Sequence, residues 1–187
     1  MIKENNDYIL ESKAAKPQKV VSIPVPLFES MEGNYFVGQT DILCVKKGVN
    51  AWAALVNPYD SAVNLYTNVF TISNFSNEYL TAEIWLNTNK PPIWSISDKV
   101  SPTNTSLNPL PRNEVNIQFV KSTTEVPIKG VNVYKRIVPP NSTLVSEEDG
   151  KFISAPSGNY SIIIKSSSQL VSKVITAFGW FERSILC

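Results

Sequence analysis

Leu80, Ala82, Ile84 and Leu86 alternate without a break against Tyr79, Thr81, Glu83 and Trp85. An apolar residue at every second position lines one face of a pleated strand, whereas on a helix it would be scattered around the axis. The same period recurs in Val115, Ile117 and Phe119 against Asn116 and Gln118, and again over Val131–Val138, where Pro139-Pro140 stops it. Helical periodicity is almost absent. Such a chain must pair its strands into sheets and bury the apolar face of one sheet against another.

The remaining strands follow from the same signals. Strands are expected from Asn34 onward. Ala51–Val56 is a continuous apolar run closed by Asn57-Pro58. Between residues 62 and 73, Val63 and Leu65 lie on one phase and Phe70 and Ile72 on the other, which places a β-bulge near Thr67–Val69. Thr143–Ser146 and Lys151–Ser154 flank Glu147-Glu148-Asp149-Gly150 and read as a hairpin with its turn at the glycine. Tyr160–Lys165 follows Ser157-Gly158-Asn159. Val171–Phe181 is apolar on both phases beyond Lys173, as a strand in the middle of a sheet is. The Pro/Asn/Ser/Thr-rich stretch Asn87–Asn113 is too long for a turn and predicts a crossing or a surface flap. The expected fold is an all-β, two-sheet antiparallel β-sandwich of jelly-roll type.

Residues 1–30 differ from residues 31–187, which form the sandwich domain. Pro24 and Pro26 fix φ and remove two backbone donors, so this segment is excluded from a sheet interior. It reads as an extended N-terminal arm, with Tyr8–Ala15 able to form a helical turn or two. On an extended arm Val21, Ile23, Val25 and Leu27 share a side and could add to a neighbouring copy. At 187 residues the chain is long enough to bury a core without staples.

The chain contains no histidine and two cysteines, which removes Ser-His-Asp and Cys-His nucleophile systems and imidazole zinc sites. Its seven glycines occur singly and form no phosphate cradle. The sequence nominates no catalytic, cofactor-binding or metal-binding residue and no cofactor. Glu147, Glu148 and Asp149 lack the alternating ligand spacing of a calcium loop. Two carboxylates facing across a groove would be enough for a glycosidase, but no such pair is evident. A formal net charge of +1, with no basic stripe, points away from nucleic acid and anionic membrane and offers little resistance to self-association. The N-terminus shows no secretory h-region, so synthesis in the cytoplasm is expected; a spore or cell surface would still be reached if a mother cell lysed around the protein.

Four tryptophans remain. Trp52 and Trp180 sit in apolar runs and are expected in the core. Trp85 and Trp94 fall outside it and mark an interface. Together with Tyr79, and with Glu83 beside them, they would also serve a glycan ligand. Cys44 and Cys187 could be free thiols, an internal disulfide or a bridge between subunits. Asn-x-Ser/Thr triplets begin at Asn74, Asn104, Asn141 and Asn159 and are read as products of an Asn-rich composition.

The strings NYFVGQT (34–40), NAWAALVNP (50–58), RIVPPNSTLV (136–145) and AFGW (177–180) resemble an uncharacterised domain-of-unknown-function family of spore-forming Firmicutes. The likeness runs from about residue 28 to 181. It implies a compact β domain and transfers no site residue. A looser architectural likeness is to the jelly-roll subunits of bacterial spore appendages, which implies assembly through N-terminal arms and cysteines. The expected function is a non-enzymatic structural subunit that assembles with copies of itself, as a fibre, lattice or closed homo-oligomer. A carbohydrate- or surface-binding module is the alternative.

Overall fold

The computed structural model describes residues 20–185. One short helix, α1 (Val25–Met31), precedes twelve strands. These are β1 (Tyr35–Gln39), β2 (Leu43–Val45), β3 (Asn50–Val56), β4 (Val63–Asn74), β5 (Leu80–Leu86), β6 (Ser95–Ile96), β7 (Val100–Pro102), β8 (Asn116–Thr123), β9 (Val131–Val138), β10 (Ser142–Ser154), β11 (Asn159–Ser166) and β12 (Ser172–Ser184). They form two antiparallel sheets. The first runs β10-β4-β12-β1-β7, with β2 also on β12, and the second runs β6-β8-β3-β11-β5-β9.

The pairing defines a jelly roll. Strands β1 and β2 pair with β12, β3 with β11, β4 with β10, and β5 with β9. The chain therefore behaves as one long hairpin whose two arms pair along their length and then wind into a sandwich. Residues 87–130 are inserted at the tip of that hairpin and carry β6, β7 and β8. The Pro/Asn-rich stretch expected to cross or flap is the first part of this insertion, and it delivers β6 to the second sheet and β7 to the first.

The core lies between the sheets. Leu55, Leu65, Phe70, Ile72, Ile84, Ile117, Ile162 and Trp180 are fully enclosed there. Trp180 stacks on Phe36 with ring centroids 5.9 Å apart. The alternation in β5 and β8 places Ala82, Ile84, Ile117 and Phe119 inward, as their period requires. Strand β12 lies between β4 and β1; Val174, Phe178 and Trp180 of one phase enter the core, and Phe181 of the other stacks on Tyr35 and Tyr66 on the outer face. The β4 bulge falls at Asn68: Gly179 pairs with Val69 and Trp180 with Thr67, so the residue between is extra and the inward phase switches there.

Two local readings are corrected. Residues 142–154 are one strand, not a hairpin. Its halves pair with the same neighbour, Ser142–Glu147 against Asn74–Val69 and Phe152–Ser154 against Thr67–Leu65. The positive φ of Asp149 (52°) and Gly150 (72°) serves a bulge opposite Asn68 instead of a turn. Glu148 is tucked under it, accepting from Ser146 Oγ at 2.8 Å. A chain reversal and a bulge demand the same φ, so local sequence could not separate them.

The other correction concerns the arm. Val25 and Leu27 lie on helix α1, not on an extended strand with Val21 and Ile23. Pro24 is the N-cap and Pro26 sits in the first turn, where a missing N–H costs nothing. Gly33, at φ 81°, ends the helix: its N–H reaches the Ser30 carbonyl and the Asn34 N–H reaches that of Glu29. Proline in the first turn and glycine just past the end were the signal that could have found this helix. Tyr8–Ala15 lies outside the described residues.

Candidate binding face

Directly opposed residues on antiparallel strands share a face, so the register maps the outer surface of the second sheet. One row across it is Trp85, Ser161, Ala54, Gln118 and Ile96. The next is Lys135, Glu83, Ile163, Trp52 and Val120. This explains the continuous apolar run in β3, because its outward residues Trp52, Ala54 and Val56 are buried too. Trp52 is thus enclosed as expected, but on the outside of the sheet and not between the two.

Two loops cover it. Residues 87–94 leave β5 and rejoin the sheet as β6 beyond β8, while residues 124–130 leave β8 and reach β9 at the opposite edge. The Asn89 N–H donates to the Ile128 carbonyl at 3.0 Å and ties the two straps together. Asn159 bolts the first strap to β11, its Nδ2 donating to the Thr88 carbonyl at 2.9 Å and its N–H to Asn87 Oδ1 at 3.1 Å. Between the straps a cleft of about 110 Å³ opens above Trp52 and Ile163. Trp52 Nε1 is buried with no acceptor among the described residues.

On the other side of residues 88–92 lies a groove of about 760 Å³, whose walls include Tyr59, Asp60, Asn89, Trp94, Asn116 and Gln118. Tyr59 is 82% exposed and Trp94 38%. Lys90 Nζ stands 4.5 Å from the centroid of the Trp94 ring, within cation–π range. The loop carrying Tyr59 is pinned by Asn57, whose Nδ2 donates to the carbonyls of Val63 (2.8 Å) and Ser154 (3.0 Å). Gln118 is only 4% exposed, and its Oε1 has no hydrogen-bond donor among the described residues.

Glu83 faces away from the core, as its strand phase requires, yet it is enclosed. Its carboxylate accepts from Lys165 Nζ at 2.8 Å and from Trp85 Nε1 at 3.2 Å, with Lys135 Nζ 3.2 Å away. Burial alone would raise its pKa. The hydrogen bonds from Lys165, Lys135 and Trp85 outweigh this and hold the carboxyl below the usual glutamate value. Trp85 is accordingly half-buried against Trp52 and Ile163, with its N–H used internally. Tyr79 precedes the first residue of β5 and Trp85 is near its end, about 20 Å along the strand. Tyr79, Trp85 and Trp94 therefore do not form one platform. Tyr59 and Gln118, which no local sequence signal marks, are the residues brought to Trp94.

Replacing Glu83 by Gln should cost about 1–2 kcal/mol at neutral pH, because two ammonium groups then face each other with solvent only partly screening them. The sign with pH is set by the lowered carboxyl. The stabilisation is present above the unfolded-state value and is lost as pH falls through the folded one. Urea melts of both proteins should diverge at pH 7 and converge in acid; a constant difference would show that the ion pairs contribute nothing.

The N-terminal segment presents a different surface. Glu29 is the one buried residue of α1 and is 1% exposed. Arg183 grips it through Nε at 2.7 Å and through Nη2, and Asn34 Nδ2 approaches at 3.3 Å. Val20, Val21, Ile23, Val25, Leu27, Phe28 and Met31 all remain exposed. Beyond it, on the outer face of the first sheet, a trough of about 610 Å³ is lined by Val37, Val69, Ala177 and Gly179 among others. Cys44 is a half-buried free thiol in β2; Cys187 lies outside the described residues. Asn74 and Asn159 of the Asn-x-Ser/Thr triplets are buried hydrogen-bonding residues.

Fold and faces together define a two-sheet jelly-roll domain with a strapped outer sheet and an apolar N-terminal helix docked through a carboxylate. The chain belongs to DUF6143, a family of unknown function, whose model matches residues 6–187. That match extends beyond the span read from the motifs, to residue 6 at one end and through Cys187 at the other. No curated protein and no solved structure matches the chain.

Proposed function

We propose that this protein is a non-enzymatic structural subunit that assembles with copies of itself. One observation carries the reading. Helix α1 is inside out, since it buries its glutamate against Arg183 and turns Val25, Leu27, Phe28 and Met31 to solvent. An apolar cluster held rigidly outward is a docking element, because water is the least favourable surrounding for it. Its receptor is the trough on the first sheet of another copy, where the small side chain of Ala177 leaves room beside the exposed Val37. Helix-to-trough contact joins two different surfaces, so it propagates as a ring or a filament. Near-zero net charge lets like copies meet. A layer on a spore or cell surface is the setting that suits such a subunit.

Light scattering on wild type, Leu27→Glu and Val37→Lys proteins tests this. Wild type should exceed monomer mass and each variant should fall to monomer. Each variant keeps the half that the other lacks, so an equimolar mixture should recover dimers. A monomeric wild type at its highest soluble concentration, or a mixture that stays monomeric, would sink the proposal.

A further inference from the structure

We infer that the groove beside residues 88–92 is a binding site for a neutral oligosaccharide. A sugar ring offers an apolar C–H face and a rim of hydroxyls that both donate and accept. A site for it needs flat aromatic surfaces, and side-chain amides fixed at the ring edge. The groove supplies both. Tyr59 and Trp94 stand exposed in it, Tyr59 on the Asn57-pinned loop and Trp94 with Lys90 over its ring. Asn89, Asn116 and Gln118 bring carboxamides to the same space. At about 760 Å³ the groove falls in the range of small-molecule sites.

Gln118 Oε1 gives the strongest indication of a ligand. A buried amide oxygen without a donor is costly; Trp52 Nε1, Thr67 Oγ1 and Ser172 Oγ share that state among the described residues, but Gln118 is the one that lines this groove. Gln118 lines the groove floor, and turning its carboxamide outward would bring this oxygen to a hydroxyl or N–H of whatever fills the groove. A hydroxyl-rich ligand supplies that donor at many positions, whereas a proline-rich peptide, the other common guest of aromatic grooves, has few to give. Charge narrows the class further. Lys90 and Asp60 contribute one charge of each sign to the lining, so nothing there selects a phosphate or a uronate. Asp60 is also the lining's one carboxylate, and glycoside cleavage by the usual route needs two, so the site retains its ligand and does not cut it. The site is independent of helix α1 and of assembly.

Wild-type protein is applied to an array of neutral and acidic oligosaccharides, and the best neutral oligosaccharide is then titrated by calorimetry. Trp94→Ala and Tyr59→Ala should each weaken binding by about tenfold or more, as loss of an aromatic anchor does. Gln118→Leu provides the reading that a merely structural role would not: it removes the unpaired oxygen, so the free protein should melt no lower while binding falls about tenfold. A blank array, preference for acidic oligosaccharides or for a proline-rich peptide, or affinity that survives loss of both Tyr59 and Trp94 would overturn the assignment.

Discussion

Trp180→Ala is expected to lower the unfolding free energy by about 4 kcal/mol, a large share of the roughly 5–15 kcal/mol that holds a domain together. For a chain of this size the melting temperature should fall by about 10 °C. The indole is fully enclosed, is stacked on Phe36, and donates from Nε1 to Glu182 Oε1 at 2.8 Å. Glu182 also accepts the backbone N–H groups of Glu114 (2.9 Å) and Val115 (3.1 Å). Removing the ring therefore opens a cavity and strips a buried carboxylate of one of its donors. Trp180→Phe separates the two effects, because it fills most of the space and loses only the hydrogen bond, at about 1–2 kcal/mol. Burial raises the Glu182 carboxyl above its ordinary value, against the lowering effect of these three donors. A raised carboxyl contributes stability that is fully present below the unfolded-state value and is lost as pH rises through the folded one. The missing indole N–H hurts the ionised form more than the neutral one, because a carboxylate is the stronger acceptor. The Trp180→Phe deficit should therefore be larger at neutral pH than in mild acid, measured by paired thermal melts; an equal deficit at both would mean that the hydrogen bond is not made to the carboxylate.

Arg183→Ala should release helix α1 without unfolding the sandwich. Glu29 would be left with Asn34 as its remaining side-chain partner at an enclosed site. Stranding a fully buried charge costs more than this, but Arg183 is itself half exposed, so about 2 kcal/mol is expected, equivalent to about thirtyfold in the opening equilibrium. The cost cannot exceed what docks a seven-residue helix, because undocking relieves it. Hydrogen exchange and proteolysis over residues 25–33 should accelerate while the global melt barely moves. Glu29→Leu with Arg183→Leu should restore protection in part, since a pair removed together leaves no stranded charge. Unchanged exchange in Arg183→Ala would show that the ion pair does not hold the helix.

Much of the sandwich was legible because its signals are short-range. The two-residue alternation of β5 and β8, the doubled apolar phase of β12 and the phase slip in β4 each follow from a few consecutive side chains. Pro139-Pro140 ends β9 by removing donors, wherever β9 lies. The misreadings arose where one local signal has two uses. Positive φ at Asp149-Gly150 suits a turn or a bulge. Pro24 and Pro26 bar a central strand but equally open a helix. The binding groove was only partly legible. Trp94 stood out as an aromatic outside the core, whereas Tyr59 and Gln118 carry no mark in sequence, being 35 and 24 residues from it on separate elements.

The order of residues alone determined that this chain would be β-structured, two-layered and without histidine chemistry, because side-chain period and composition act on each strand by itself. Which strands pair, that residues 87–94 and 124–130 strap the outer sheet, and that a helix turns its glutamate inward were decided only in three dimensions. Those outcomes depend on partners dozens of residues away, such as Arg183 for Glu29 and Asn159 for Thr88. No local window contains both members of such a pair.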